Sequence, residues 1–353
     1  MVWVPKVKQR TTTCFRRRGS LFFDLFVIKH KFYRYRKVWH VPKTFFLVHM
    51  PLLNNLQKMK TTAQQLAVIM VLAFMGQQLT AQISNTEKKA LKAFYKNTYG
   101  PTWNNSWNLK EDVSSWHGIT VKEGHVVSIK LHNNGLKGSI PHELGALEHL
   151  EELDLAFNQL QGQLPQSILE LPNLKVLKLE MNGLSGNLPT DFSKCKELKV
   201  LSLFNNSLEG TIPSQIGDAS ALKVLNLSSN YLKGQLPKSL ERLQYLERLE
   251  VFGNELSGSI NWELGKLKNL KELVLSYNDF QGDLPNSTAD LEHLELVQLQ
   301  GNQFNSVGVF RLTRSYALGI FDSDDELLNL QLKKKGEFIK TRMADSKFEG
   351  EHD

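Results

Sequence analysis

KVLKLEMNGLSGNLPTDFSKCKEL, residues 175–198, is the stretch that decides the fold, because its pattern recurs every 24 residues. Asparagine falls at positions 134, 158, 182, 206, 230, 254, 278 and 302. A glycine follows four residues after each of the first seven asparagines, and a proline follows three residues after six of those glycines. A fixed period of this length predicts a solenoid, in which each repeat packs on its neighbours.

The leucines of each repeat predict a strand and a share of the core. The L-x-L motif predicts a short parallel strand whose side chains alternate between core and surface. The asparagine, glycine and proline after it would turn the chain, and the remaining leucines would return along the convex side. In the quoted repeat we expect these side chains to point into the core: Leu177, Leu179, Leu184, Leu188, Phe192 and Leu198.

These repeats resemble the plant-specific class of leucine-rich repeat, LxxLxLxxNxLxGxIPxxLGxLxxL, of plant receptor ectodomains and polygalacturonase-inhibiting proteins. They are also similar to exported Bacteroidetes proteins named "two component regulator three Y domain". The resemblance covers about half of the chain. It implies an α/β solenoid, a right-handed superhelix of about eight repeats with a concave parallel β-sheet, a helical N-terminal cap and a C-terminal cap. Fold alone does not imply an activity.

Residues 1–81 differ from the rest in charge. They contain 14 Lys and Arg and one acidic residue, a net charge of +13, so the remainder of the +7 chain carries −6. Residues 59–81 have a lysine, a short apolar run and a small-residue ending, which is the arrangement of a secretory signal peptide cleaved near Ala81. The apolar run is too short to span a bilayer.

Residues 1–58 are therefore interpreted as a basic leader outside the mature protein, either an upstream extension or disordered. The alternative is a basic arm that binds nucleic acid or membrane. We expect a mature protein that is secreted, or periplasmic and held in the cell envelope. It would have no transmembrane span and no nucleic-acid partner.

The mature chain is expected to have three parts: an N-terminal cap at 82–125, repeats at 126–305, and a C-terminal cap with a charged tail at 306–353. The cap sequence predicts a helix that begins near Ser84 or Asn85 and ends at Gly100-Pro101. Three tryptophans follow, and we expect them to cover the open end of the core, with a sugar platform as the alternative: Trp103, Trp107 and Trp116.

The end of the cap resembles the C-x-W-x-G-V-x-C ending of plant-type caps. Ser114 and Val121 occupy the two cysteine positions, so the disulfide of those caps is not carried over. Cys195 would be alone in the mature chain, as a small core or boundary residue.

Known catalytic and metal-binding motifs are absent from the sequence. There is no G-x-S-x-G, no H-E-x-x-H, no phosphate loop and no dinucleotide fingerprint. Adjacent acids such as Glu151-Glu152 and Asp324-Asp325 are interpreted as solvated surface. We therefore expect no enzyme activity, no catalytic residues, no metal and no cofactor.

Function is expected at the variable positions of the concave sheet, where the repeat leaves the residue free. Clustered exposed aromatic residues flanked by charge are typical of interface hot spots, whereas single exposed apolar residues are common on any surface. The candidates share adjacent columns of one face: Phe157, Lys178, Glu180, Met181, Phe204, Phe252 and Tyr277.

The resulting hypothesis is an exported, non-enzymatic recognition protein that binds a protein or peptide on its concave face, with a cell-wall polysaccharide as the second ligand class. Two alternatives stay open. One is an inhibitor of cell-wall-degrading hydrolases, and the other is a structural envelope or adhesion module.

Overall fold

Two parallel β-sheets run along the solenoid, and each repeat adds one strand to both. A computed structural model describes residues 83–305 and 320–324, which fall within one unit of residues 80–353. The expected leader, the signal peptide, and residues 306–319 and 325–353 of the expected C-terminal region lie outside the described residues.

The first sheet, called the concave sheet, is built from the L-x-L motifs. Its strands pair in parallel and in register, so that Leu177 aligns with Leu153 on one side and with Leu201 on the other. Only its first pair is antiparallel. Numbered in chain order through both sheets, its ten strands are β1 (Ile119–Lys122), β2 (His125–Lys130), β4 (Glu152–Asp154), β6 (Val176–Lys178), β8 (Val200–Ser202), β10 (Val224–Asn226), β12 (Arg248–Glu250), β14 (Glu272–Val274), β16 (Leu296–Gln298) and β18 (Ile320–Asp322).

The second sheet lies where the sequence predicted only a turn. Its glycines, one per repeat from Gly138 to Gly282, all have positive φ, a conformation that other residues avoid. Its eight strands are β3 (Lys137–Gly138), β5 (Gln159–Gly162), β7 (Gly183–Asn187), β9 (Ser207–Thr211), β11 (Tyr231–Gly234), β13 (Glu255–Gly258), β15 (Asp279–Gly282) and β17 (Gln303–Phe304).

Short helical turns form the return side of each repeat. They are one turn of α-helix, α2 (Gln166–Leu169), and 3₁₀ turns at His142–Ala146, Ser214–Asp218, Lys238–Arg242, Leu264–Lys266 and Asn286–Asp290. The six core side chains expected in the quoted repeat are all buried. Cys195 is also in this core: its thiol donates to Leu169 O at 2.8 Å, and burial raises its pKa to about 12. The thiol is therefore unreactive.

The repeated asparagine joins three backbone segments of two repeats. Asn206 Nδ2 donates to Leu203 O of its own repeat and to Leu179 O of the preceding repeat, both at 3.0 Å. Its Oδ1 accepts from Leu184 N at 3.0 Å. Equivalent bonds recur at Asn158, Asn182, Asn230, Asn254, Asn278 and Asn302.

Both ends of this asparagine ladder are completed by residues outside the repeat pattern. In the N-terminal region, Asn105 N donates to Asn134 Oδ1 at 2.8 Å. At the other end the Asp324 carboxylate accepts from Gly301 N at 2.9 Å and from Asn302 N at 3.2 Å. The interpretation of Asp324 as solvated surface is therefore wrong. Although the residue is exposed, it accepts backbone N–H groups of the preceding repeat, as the asparagines do.

The N-terminal end of the core is covered by a helix and three tryptophans. Helix α1 (Asn85–Asn97) starts with a capping box in which Ser84 and Glu87 bond each other's backbone N–H, and Glu87 Oε1 also accepts from Val126 N at 3.1 Å. The remaining turns of this region are 3₁₀ segments, Gly100–Thr102 and Val113–Ser115.

Trp103, Trp107 and Trp116 are 3–4% exposed, and each indole N–H donates to a backbone carbonyl. The alternative of a tryptophan sugar platform is therefore wrong, because no ring face is open.

The ladder makes a direct stability prediction. Asn206→Ala would leave Leu179 O, Leu203 O and Leu184 N without their side-chain partner, and each buried unsatisfied group costs about 1–3 kcal/mol. We expect a loss of at least about 3 kcal/mol in the free energy of unfolding, measured by urea titration. The control is Asn205→Gly, the preceding residue at a position with positive φ, which should change stability by less than about 0.5 kcal/mol. Equal losses in the two variants would refute the structural role of the ladder.

Candidate functional site

The concave face carries the seven predicted site residues, but they differ in exposure. Phe157 and Tyr277 are 46% and 51% exposed. The other five are half-buried: Lys178, Glu180, Met181, Phe204 and Phe252. All seven follow the geometry of the L-x-L-x-x-N motif, which places one residue between the strand leucines and two beyond them.

The position just before each repeated asparagine has an unusual backbone. In all eight repeats this residue has φ between 48° and 69°. Asparagine and glycine, which tolerate this left-handed region, occupy four of the eight positions, and serine occupies one. The other three carry bulky side chains, for which this conformation is strained: Phe157, Met181 and Tyr277.

The predicted aromatic residues form two groups rather than one patch. Phe252 and Tyr277 make an edge-to-face contact with ring centroids 5.3 Å apart. Phe157 instead contacts His132, with ring centroids 4.8 Å apart. Phe204 shares a column with Phe252 two strands away, which is a separation of about 10 Å. Beside Phe204 the paired strands align three half-buried valines: Val176, Val200 and Val224.

Charge is concentrated at the N-terminal end of the face. Lys130 Nζ lies 2.8 Å from Glu152 Oε2, and His132 Nδ1 lies 3.9 Å from Asp154 Oδ1. Glu180 Oε2 is buried and has no hydrogen-bond partner in the described structure. This end therefore offers a carboxylate oxygen that can accept further hydrogen bonds if a donor displaces its cover.

The C-terminal end differs from the expectation that its variable positions are free. Val274, Ser276, Gln298 and Gln300 are at most 8% exposed, because short side chains in these columns are shielded by longer neighbours. Three of their polar atoms are buried without a hydrogen-bond partner in the described part: Ser276 Oγ, Gln298 Nε2 and Gln300 Oε1. Sequence reasoning did not select these residues, since they match neither the aromatic nor the charged signal. Buried groups of this kind call for a specific explanation, such as a ligand or ordered water.

Glu250 is the titratable group on this face whose pKa the structure shifts. Its side chain is 12% exposed, accepts a hydrogen bond from Asn226 Nδ2 and lies 3.8 Å from Arg248 Nη1. Burial raises the pKa of Glu250 above its ordinary value of 4.5; Arg248 opposes this effect and Glu272 adds to it.

Two searches of the described residues bear on other kinds of site. No group of three or more His, Cys, Asp or Glu among them is arranged to hold a metal ion. No helix in that part of the chain combines the length and apolar character needed to cross a bilayer.

Comparison with known proteins identifies the repeats. Family profiles described as leucine-rich repeat match residues 196–256, and 149–171, 173–195 and 269–291. Receptor-like protein 3 of Arabidopsis thaliana is 33% identical over 100 residues, which are 27% of this chain and 13% of that protein. The chain spans only 6–15% of the length of the curated plant receptors it matches.

Two solved structures share the fold over most of the chain. The ectodomain of the Arabidopsis receptor kinase HAESA, in complex with a peptide hormone ligand, has a TM-score of 0.53 and 27% identity, covering 68% of this chain and 45% of that one. A plant ice-binding protein has a TM-score of 0.52 and 26% identity, covering 69% and 87%. The chain therefore carries leucine-rich repeats, folds as a leucine-rich-repeat solenoid and is similar to plant receptor ectodomains.

The raised pKa of Glu250 predicts a pH dependence of stability. Above about pH 4.5 the folded protein binds more protons at this residue than the unfolded chain, so its contribution to stability falls as pH rises through the raised pKa. Glu250→Gln keeps an acceptor for Asn226 and removes the buried charge. We expect it to raise Tm at pH 7 and to leave Tm unchanged at pH 4, as measured by thermal denaturation. The exposed Glu255→Gln is the control, and a lower Tm for Glu250→Gln at pH 7 would contradict the shift.

Proposed function

We propose that this protein is an exported, non-enzymatic recognition protein that binds a protein or peptide ligand on its concave face. The ligand would contact the aromatic and apolar row formed by Phe204, Phe252 and Tyr277 and the valines beside Phe204. The charged groups at the N-terminal end, among them Lys178 and Glu180, would set the direction in which the ligand lies.

The strained backbone of Phe157, Met181 and Tyr277 is the observation that carries this proposal. Three repeats hold bulky side chains in a conformation that the same position in other repeats satisfies with asparagine or glycine. Such strain typically persists at functional sites, where it holds side chains in a useful direction. Here it holds Phe157 and Tyr277 about half-exposed, although burial would be the favoured state of both rings.

The shape of the face suits an extended peptide. Strands spaced about 4.8 Å apart present side chains in straight columns over roughly 34 Å. A peptide that crosses the strands would meet Phe204 and the Phe252–Tyr277 pair in succession. Large aromatic anchors surrounded by polar groups supply most of the binding energy in such interfaces.

The comparisons support the same ligand class. The HAESA ectodomain, similar in fold over 68% of this chain, is described in complex with a peptide hormone ligand. The receptor similarity also supports an extracellular location, which agrees with the signal peptide expected at 59–81.

Selection from a displayed random-peptide library, run on the full-length protein, tests the proposal. Peptides that bind the wild-type protein should lose at least about 100-fold in affinity for the variant Phe204→Ala, Phe252→Ala, Tyr277→Ala, because removal of buried aromatic anchors costs more than about 2 kcal/mol. The control is Tyr245→Ala, which removes an exposed tyrosine that none of the three aromatic contacts involves.

Three results would contradict the proposal. One is equal affinity of the triple variant and the wild-type protein. Another is inhibition of a pectinase together with the absence of peptide binding, which would favour the hydrolase inhibitor. The third is normal attachment to the cell surface by a triple variant in a system where no peptide ligand is found, which would favour the adhesion module.

A further inference from the structure

A second candidate binding site lies on the other sheet, away from the concave face. Two adjoining depressions of about 500 and 620 Å³ meet at Asn97 and Ser139, where the end of helix α1 approaches the first strands of the second sheet. We call this site the Tyr99 groove, after the exposed aromatic residue on its wall. The argument for it does not depend on the concave-face proposal.

The floor of the groove is backbone rather than side chain. Gly138 and Gly162, both with φ near +80°, and Gly183 lie along it in consecutive repeats. A Cβ on Gly138 would collide with Asn97 O, so the cap rests directly on this glycine. Glycine at such positions lets a ligand approach the backbone closely.

An aromatic ring stands at the edge of this floor. Tyr99 is 60% exposed, and its ring lies alongside Gly138, since a Cβ there would be 3.1 Å from Tyr99 Cε2. Its backbone is in the left-handed region, with φ 56°, and Tyr99 O accepts from Thr102 N at 2.8 Å. A bulky residue held in this conformation by a local turn is a rigid platform, and the strain again indicates function.

The other walls offer neutral hydrogen-bonding groups. Ser139, Gln161, Gln163 and Ser185 line the depressions and make no side-chain hydrogen bond to another described residue. Asn97 Nδ2 donates to Ala93 O at 2.8 Å, which leaves Asn97 Oδ1 as an acceptor. The charged side chains on the walls are His142 and Glu143, 3.4 Å apart. This composition suits a neutral ligand with many hydroxyl groups and disfavours a polyanion.

The backbone of the groove is not available to pair with a peptide strand. Strand β3 forms the edge of the second sheet, but Lys137 N donates to Thr98 O at 3.3 Å and Ser139 N donates to Asn97 O at 3.4 Å. Because these contacts close the edge, recognition must come from side chains and the tyrosine ring.

We propose that the Tyr99 groove binds a neutral oligosaccharide. One sugar ring would lie against the face of Tyr99, and its hydroxyl groups would bond to Asn97, Ser139 and Gln161. The glycine floor lets the sugar chain lie close to the sheet and continue along successive repeats.

The test is isothermal titration of the full-length protein with cellohexaose, xylohexaose, mannohexaose and laminarihexaose, with hexagalacturonate as the charged comparison. We expect at least one neutral hexasaccharide to bind. Tyr99→Asn, which removes the ring but tolerates positive φ, should weaken that binding at least tenfold. Tyr99→Phe should keep affinity within about threefold, because the ring face remains. Tyr245→Ala, an equally exposed tyrosine that does not line either depression, should leave affinity unchanged.

Each contrary outcome overturns the proposal. It fails if none of the four neutral sugars binds at concentrations up to about 5 mM, a free energy weaker than about −4 kcal/mol. It also fails if hexagalacturonate alone binds, or if Tyr99→Asn binds as well as the wild-type protein. The concave-face triple variant should bind the sugar normally, which separates this site from the proposed peptide site.

Discussion

The hydrogen bonds of the repeated asparagine are the constraint on which the rest of the structure depends. Each side chain joins the end of its own strand to the preceding repeat, as Asn206 does with Leu203 O, Leu179 O and Leu184 N. These bonds hold the bend between the two sheets at a fixed place in every repeat. The leucine core supplies the driving force for stacking, but the asparagines set the register. Asn105 and Asp324 extend the same pattern beyond the repeats at both ends.

Much of the fold could be predicted from the period of the sequence, and the exceptions have physical causes. The concave strands and the core leucines follow directly from the L-x-L spacing. The second sheet was missed because its residues alternate around glycines and have no apolar pattern of their own, since only Leu184 and its equivalents point inward. Asp324 was missed because it comes 22 residues after Asn302, out of phase with the 24-residue repeat.

The candidate site could be predicted only in part, because the columns of a sheet indicate which side chains share a face but not how they shield one another. Phe157 and Tyr277 are exposed, whereas Gln298 and Ser276, in equivalent columns, are buried. The Tyr99 groove had no sequence signal, since its residues come from the cap and from three different repeats. A leucine-rich-repeat solenoid also appears in a receptor bound to a peptide hormone and in an ice-binding protein, so the fold by itself does not name a ligand.

The central claim is that regular residues hold this fold while irregular residues at the same scaffold positions are kept for binding. The most direct measurement replaces Phe157, Met181 and Tyr277 by asparagine, the residue found at the equivalent positions 133 and 205. The account predicts that urea titration will show higher stability, by about 0.5–1 kcal/mol for each replacement, because asparagine tolerates positive φ. It also predicts weaker binding of peptides selected on the wild-type protein. Lower stability with unchanged peptide binding would contradict the account, since the three side chains would then serve the fold.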